Sequence, residues 1–144
     1  MQLYAEVEMI QELGKEINCA LTKEPIQVDN QKFLEIDGYS ESAHVLCEAY
    51  AHIGKLKGAQ RQKVLTDAIK MLYVAKLRGG YWRKILLFAD DEAAQPFKNG
   101  TWYAEAIKKF GFEIRVVEKL KDEIRKKLEK AQKRQKMQNI GGRT

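Results

Sequence analysis

Cysteine, proline and histidine are scarce, with two of each in 144 residues. Cys19 and Cys47 form no CxxC pair, which argues against a disulfide framework and a thiolate zinc site. Of the two prolines, Pro25 bars any helix from running beyond Lys23. No apolar run approaches the roughly 18 residues that a membrane helix needs. The opening MQLYAEVEMIQ carries acids where a secretion signal carries basic residues, so a cytoplasmic protein away from membranes is expected. The GxxxxGK[ST] spacing of nucleotide hydrolases is absent, as are internal repeats and low-complexity linkers. Asn99-Gly100-Thr101 reads as a turn and helix cap rather than as a glycosylation site.

What is present suits one domain with one core: 44% hydrophobic and 32% charged residues. The net charge of +6 is unevenly spread. From Glu118 to Thr144 ten Lys and Arg face four acids, leaving sixteen of each sign in Met1–Val117. Residues 1–120 are expected to form an α/β domain, and 121–144 a basic C-terminal helix with a disordered tail. A cationic segment on a neutral body suits a polyanionic partner, since each phosphate neutralised releases counterions. It also suits a helix that is merely solvated.

Hydrophobic spacing supplies the elements. Leu3, Val7, Ile10, Gly14, Ile17 and Leu21 fall on one helical face, with Glu8, Glu12 and Glu16 opposite. Pro25–Val28 reads as a short edge strand and Asp29-Asn30 as a tight turn. Lys32–Asp37 alternates as a strand, Gly38 and Ser40 mark a loop, and His44–Ile53 alternates again, together a hairpin. Ala59–Leu77 follows as a long helix with Val64, Leu65, Ala68, Ile69, Met71, Leu72 and Ala75 on its apolar face. Gly79-Gly80 ends it. Arg83–Ala89 has the continuous apolarity of a strand buried on both sides. A helix capped by Thr101 and stopped by Gly111, a strand over Phe112–Val117, and a basic helix from about Lys119 to Gln135 complete the order. The expected fold class is α/β, a mixed sheet of four to five strands flanked by helices.

Asp37, at the end of one hairpin strand, and Glu48, in the middle of the next, stand out chemically. A carboxylate central in a small sheet is costly to bury unless paired or bound to a cation. Two carboxylates brought together by a hairpin repel, and a hard divalent ion relieves that repulsion. Mg²⁺, or Mn²⁺ in its stead, suits one or two carboxylates completed by water and phosphate oxygens.

The residues Glu35-Ile36-Asp37-Gly38 and Glu48-Ala49-Tyr50 resemble the PD-(D/E)XK nuclease superfamily, over roughly Gln2–Ala89. The resemblance implies a restriction-endonuclease-like αβββαβ core, with Asp37 and Glu48 on the family's metal-binding Asp and Glu. Tyr50 stands where the family has lysine. Gln60, Lys63, Asp67 and Lys70 share one stripe of the long helix. Lys63 is the expected substitute for the missing amine, with Gln60 steadying a water or a metal ligand. Glu6, at the border of the first apolar face, is the best-placed further acid.

Other residues suit an anionic ligand. Lys55 and Lys57 sit in a glycine-bounded loop ahead of a helix N-terminus. Arg83 and Lys84, in the RGGYWRK segment, mix charge with aromatics as nucleic-acid-gripping loops do, although Tyr81 and Trp82 equally suit core packing. His52 reads as a structural residue, and Asp90-Asp91-Glu92 as a cap or solvated turn. The expected function is metal-dependent cleavage of nucleic acid, DNA above RNA. The alternative is a non-catalytic nucleic-acid-binding or assembly module that keeps the fold, and a third is a scaffold whose acids are structural. Without a long recognition insertion, strict sequence specificity would require a partner or a homodimer.

Overall fold

The computed structural model describes residues 2–117, 126–127 and 129–134. The elements run α1 (Gln2–Glu16), β1 (Thr22–Gln27), β2 (Phe33–Ser40), β3 (Val45–Tyr50), α2 (Gly58–Arg78), β4 (Arg83–Phe88), α3 (Asp91–Lys98), α4 (Trp102–Lys109) and β5 (Phe112–Val116). The strands form one mixed sheet in the order β1-β2-β3-β4-β5. The first three are an antiparallel meander; β4 runs parallel to β3, and β5 parallel to β4. The α/β class and helix-flanked sheet agree with the sequence pattern. Among the described residues no helix is long and apolar enough to cross a membrane.

Alternation along β3 divides the core. Val45, Cys47, Ala49 and Ala51 pack with Ala5, Met9, Ile10 and Leu13 of α1 on one side. Leu46 and Tyr50 turn to the other side, where α2 contributes Val64, Ala68, Met71 and Val74, and α3 and α4 contribute Ala93, Ala94, Phe97 and Ile107. The central β4 feeds both layers, Ile85 and Leu87 to one and Leu86 and Phe88 to the other, hence its unbroken apolar run.

Several boundaries differ from the sequence pattern for identifiable reasons. Gly38 and Ser40 lie inside β2, not in a loop; the turn comes afterwards, with Ser40 Oγ accepting from Ala43 N at 3.1 Å. A Cβ on Gly38 would come within 2.9 Å of Ile10 Cδ1, so this glycine admits α1 to the sheet. β1 is longer than expected and contains Pro25, which an edge strand tolerates. Helix α3 was not foreseen, being short and holding Pro96. The buried face of α2 is rotated: Ile69 is 68% exposed, whereas Asp67 and Val74 are inside. In α1, Val7 is exposed and Ala5, Met9 and Leu13 carry the packing. Thr101 caps α4 as expected, its Oγ1 accepting from Ala104 N at 3.1 Å. Asp29 Oδ1 closes its turn on Gln31 N and Lys32 N, each at 2.8 Å. The expected disordered tail from 135 lies outside the described residues, as does much of the basic helix.

Gly14 in α1 gives a test of the α1 exit. A Cβ there would lie 2.6 Å from the Cys19 carbonyl oxygen, because the chain folds back with Cys19 N donating to Gly14 O at 2.8 Å. Glycine to alanine usually stabilises a helix interior by up to about 1 kcal/mol. Gly14→Ala is expected instead to destabilise by about 1–3 kcal/mol, through overpacking against backbone. A lower urea midpoint is the predicted readout; an unchanged or raised one would show that the turn yields.

Candidate active site

The site forms where the hairpin strands part. Pairing of β2 with β3 stops at Gly38↔Cys47. Along β1, Thr22 pairs with Tyr39 and Glu24 with Ile36, so two steps on β1 span three on β2. The extra residue is a bulge at Asp37-Gly38, which re-aims the side chain. Asp37 Oδ2 then accepts from Ala49 N at 3.0 Å, taking the donor that the ladder leaves free. This carboxylate shares a hydrogen bond with Glu48, whose side chain points to the α2 side and is 3% exposed. Glu48 Oε1 is buried and turns toward α2.

Helix α2 supplies the counter-charge. Lys70 Nζ lies 2.6 Å from Glu48 Oε1, a short buried ion pair, and 3.6 Å from Asp67 Oδ1. It donates to the Glu35 carbonyl at 2.8 Å, which ties α2 to β2. Asp67 is buried, accepting from Tyr50 Oη at 2.9 Å and pairing with Lys63 at 3.3 Å. Tyr50 stacks on Phe88 with centroids 5.1 Å apart. Tyr50 is thus a core pillar whose hydroxyl anchors the helix.

Burial dominates the electrostatics of Glu48. Desolvation first, then the hydrogen bond and charge of Asp37, push its pKa up to about 9 against the pull of Lys70. Burial pulls the Lys70 ammonium down, but Glu48, Asp67 and Asp37 outweigh it and hold the amine above the ordinary lysine value. Glu6, half-buried on α1, is also raised, by desolvation and then by Asp37, with Lys23 and Lys63 opposing. Glu6, Asp37 and Lys23 line a half-open cleft of about 220 Å³ with Val7, Ile10 and Leu21 as its apolar part.

Asp37 and Glu48 therefore meet as expected, and Glu6 lines the cleft with Asp37. The amine beside Glu48 is Lys70, not Lys63, which reaches only Asp67. Gln60 is occupied elsewhere: its Oε1 accepts from Lys57 N at 2.7 Å in the α2 cap, and its amide lies 3.5 Å from His52 Nδ1. Lys55 and Lys57 are exposed on the loop that leaves β3. Asp90 Oδ2 holds that loop through Gly54 N at 2.7 Å, so this acid is structural.

Arg83 and Lys84 do not join the site. They pair with Val45 and Leu46, at the far end of β3 from Ala49. Arg83 forks onto Glu113 of β5 with two bonds of 2.8 Å. Lys84 is buried, donating to the Trp82 carbonyl at 3.3 Å and lying over the Phe112 ring. Of the neighbouring aromatics, Trp82 is core and Tyr81 is exposed.

Sequence reasoning missed the buried Asp67 and the choice of Lys70, though a signal for Lys70 existed. Tyr50 meets Asp67; two strand residues back, about 6.6 Å, correspond to about four residues along an antiparallel helix. Glu48 should therefore meet a residue near 70.

No group of three or more His, Cys, Asp and Glu side chains converges among the described residues, so a cation here would have at most two protein carboxylates. The chain matches no protein-family model, no curated protein and no solved structure.

The raised pKa of Glu48 fixes a stability trend. An unfolded glutamate releases its proton near 4.5, the folded one near 9. The unfolded state is thus favoured progressively as pH rises between those values, and the contribution is fully present only below the lower one. Glu48→Gln removes the titration while Lys70 keeps Asp67 and the Glu35 carbonyl. Its melting temperature relative to wild type is expected to rise from pH 5 to pH 8. A constant difference would mean that Glu48 is ionised throughout.

Proposed function

We propose that this chain is a metal-dependent, nuclease-like protein that hydrolyses phosphodiester bonds of nucleic acid, DNA first. The observation that carries this reading is the meeting of two carboxyl groups from adjacent strands, Asp37 and the buried Glu48, with the Lys70 ammonium beside them. The order α1-β1-β2-β3-α2-β4, with an antiparallel meander and a parallel fourth strand, fits a restriction-endonuclease-like core. Lys70 suits the role of the amine lacking at Tyr50.

The donor set fits Mg²⁺ or Mn²⁺, which accept two carboxylates and complete their shell with water and phosphate oxygens. Asp37 and Glu48 would hold the ion. Such an ion, when bound, lowers the pKa of a water and offsets charge on the phosphodiester. The Ala49 N–H fixes Asp37 in place. Glu48 must give up its proton to bind, so cation affinity is expected to strengthen as pH rises toward about 9. The Lys70 ammonium, braced by the Glu35 carbonyl and Asp67, orients an attacking water or stabilises the phosphoryl charge.

Cleavage of plasmid and single-stranded DNA in Mg²⁺ or Mn²⁺ tests this. Asp37→Ala/Glu48→Ala is expected to abolish cutting. Lys70→Ala should cost about 10²–10³ in rate, while Lys63→Ala stays within a few-fold of wild type. Salt-sensitive binding with no cutting by the wild type would instead support a binding module, in which Glu48 and Lys70 serve only as an ion pair.

A further inference from the structure

The basic segment after β5 is attached to the body at a defined place. Among its described residues, 126–127 and 129–134 are helical. Gln132 Oε1 accepts from Ile53 N at 3.0 Å, and Gln132 Nε2 donates to Ile53 O at 3.1 Å. One side-chain amide thus satisfies both backbone groups of a residue in the segment leaving β3, the strand that carries Glu48. At about 100° per residue, Lys130, Lys133 and Arg134 fall within an arc of about 100°, with Gln132 on the other side; Lys126 and Lys127 precede them in the sequence. All five cations are exposed, whereas Gln132 and Ala131 are half-buried. The helix therefore grips the body by one side and turns its positive side outward.

We infer that this helix is a fixed cationic track, clipped by Gln132 to the segment that leaves β3, that receives the phosphate backbone of a nucleic acid. The inference rests on the nuclease-like reading only for the cleft's substrate class. Lys130, Lys133 and Arg134 lie within about 6 Å of helix rise, a spacing near that of duplex phosphates, one charge per about 1.7 Å; Glu129 is the one exposed acid among the described residues of the segment. Exposed Lys55 and Lys57 lie between Ile53 and the start of α2 and add the same sign next to the clip. A membrane surface is a poorer match, because RKKLEKAQKRQK holds one large apolar residue, Leu128, and cannot form the apolar face that interfacial helices insert.

The test uses full-length protein and fluorescent 20-mers, single- and double-stranded, titrated by anisotropy across salt. Lys126→Gln/Lys130→Gln/Lys133→Gln/Arg134→Gln is expected to weaken binding more than tenfold at about 0.1 M salt and to lower the log–log salt slope by about 3–4. Gln132→Ala keeps every charge, so its slope should hold while affinity falls several-fold, because the helix must then be ordered on binding. Wild-type affinity and slope in the quadruple variant would overturn the track, and wild-type affinity in Gln132→Ala would overturn the clip. Loss of binding to anionic vesicles or polyglutamate, with DNA binding intact, would overturn the choice of partner. Binding is read in EDTA, so that it reports the helix and not a cation at Asp37 and Glu48. A wild type that binds through this helix but never cuts would therefore defeat the nuclease reading and leave the track standing.

Discussion

The bond from the Ala49 amide to the Asp37 carboxylate is the constraint on which the site depends. Without it, the donor exposed where β2 and β3 part would be orphaned inside the protein, at about 1–3 kcal/mol. With it, the strands stay apart, and the opening between them becomes a place where carboxyl groups can gather. The bulge at Asp37-Gly38 and the close approach of Ile10 to Gly38 serve the same end, since both set where the ladder stops. A hairpin paired along its whole length would have no such opening.

Around that opening the charges nearly balance: Glu6, Asp37, Glu48 and Asp67 against Lys23, Lys63 and Lys70. The balance is not uniform. Lys63 and Tyr50 satisfy Asp67 on one side, and Lys70 divides its interactions among Glu48, Asp67 and the Glu35 carbonyl. What remains under-compensated is the Asp37–Glu48 pair, where desolvation and mutual repulsion hold a proton that a cation could replace.

Much of the fold was legible in periodicity alone. The alternation of Val45, Cys47 and Ala49 against Leu46, Glu48 and Tyr50 assigned both faces of β3 correctly, because strand period leaves no freedom once one face is buried. The juxtaposition of Asp37 with Glu48 was equally legible from the hairpin. Helix α2 was harder. Reading only apolar residues put Ile69 inside and Asp67 outside, whereas a buried hydrogen bond from Tyr50 rotates the helix to favour Asp67. A polar contact between distant residues has no periodic signature. Arg83 and Lys84 misled for a related reason: composition reveals charge, but not that Glu113 and the Trp82 carbonyl already engage it.

Pro25 and its neighbours also decide how the sheet meets other molecules. β1 forms the outer edge on the side of the cleft, and its sequence TKEPIQ offers a gap in the row of donors at Pro25, flanked by the charged Lys23 and Glu24. A foreign strand approaching edge-on finds neither a continuous set of amides nor an apolar rim to align on. Growth of the sheet by strand addition, and polymerisation through it, is therefore disfavoured at the β1 edge.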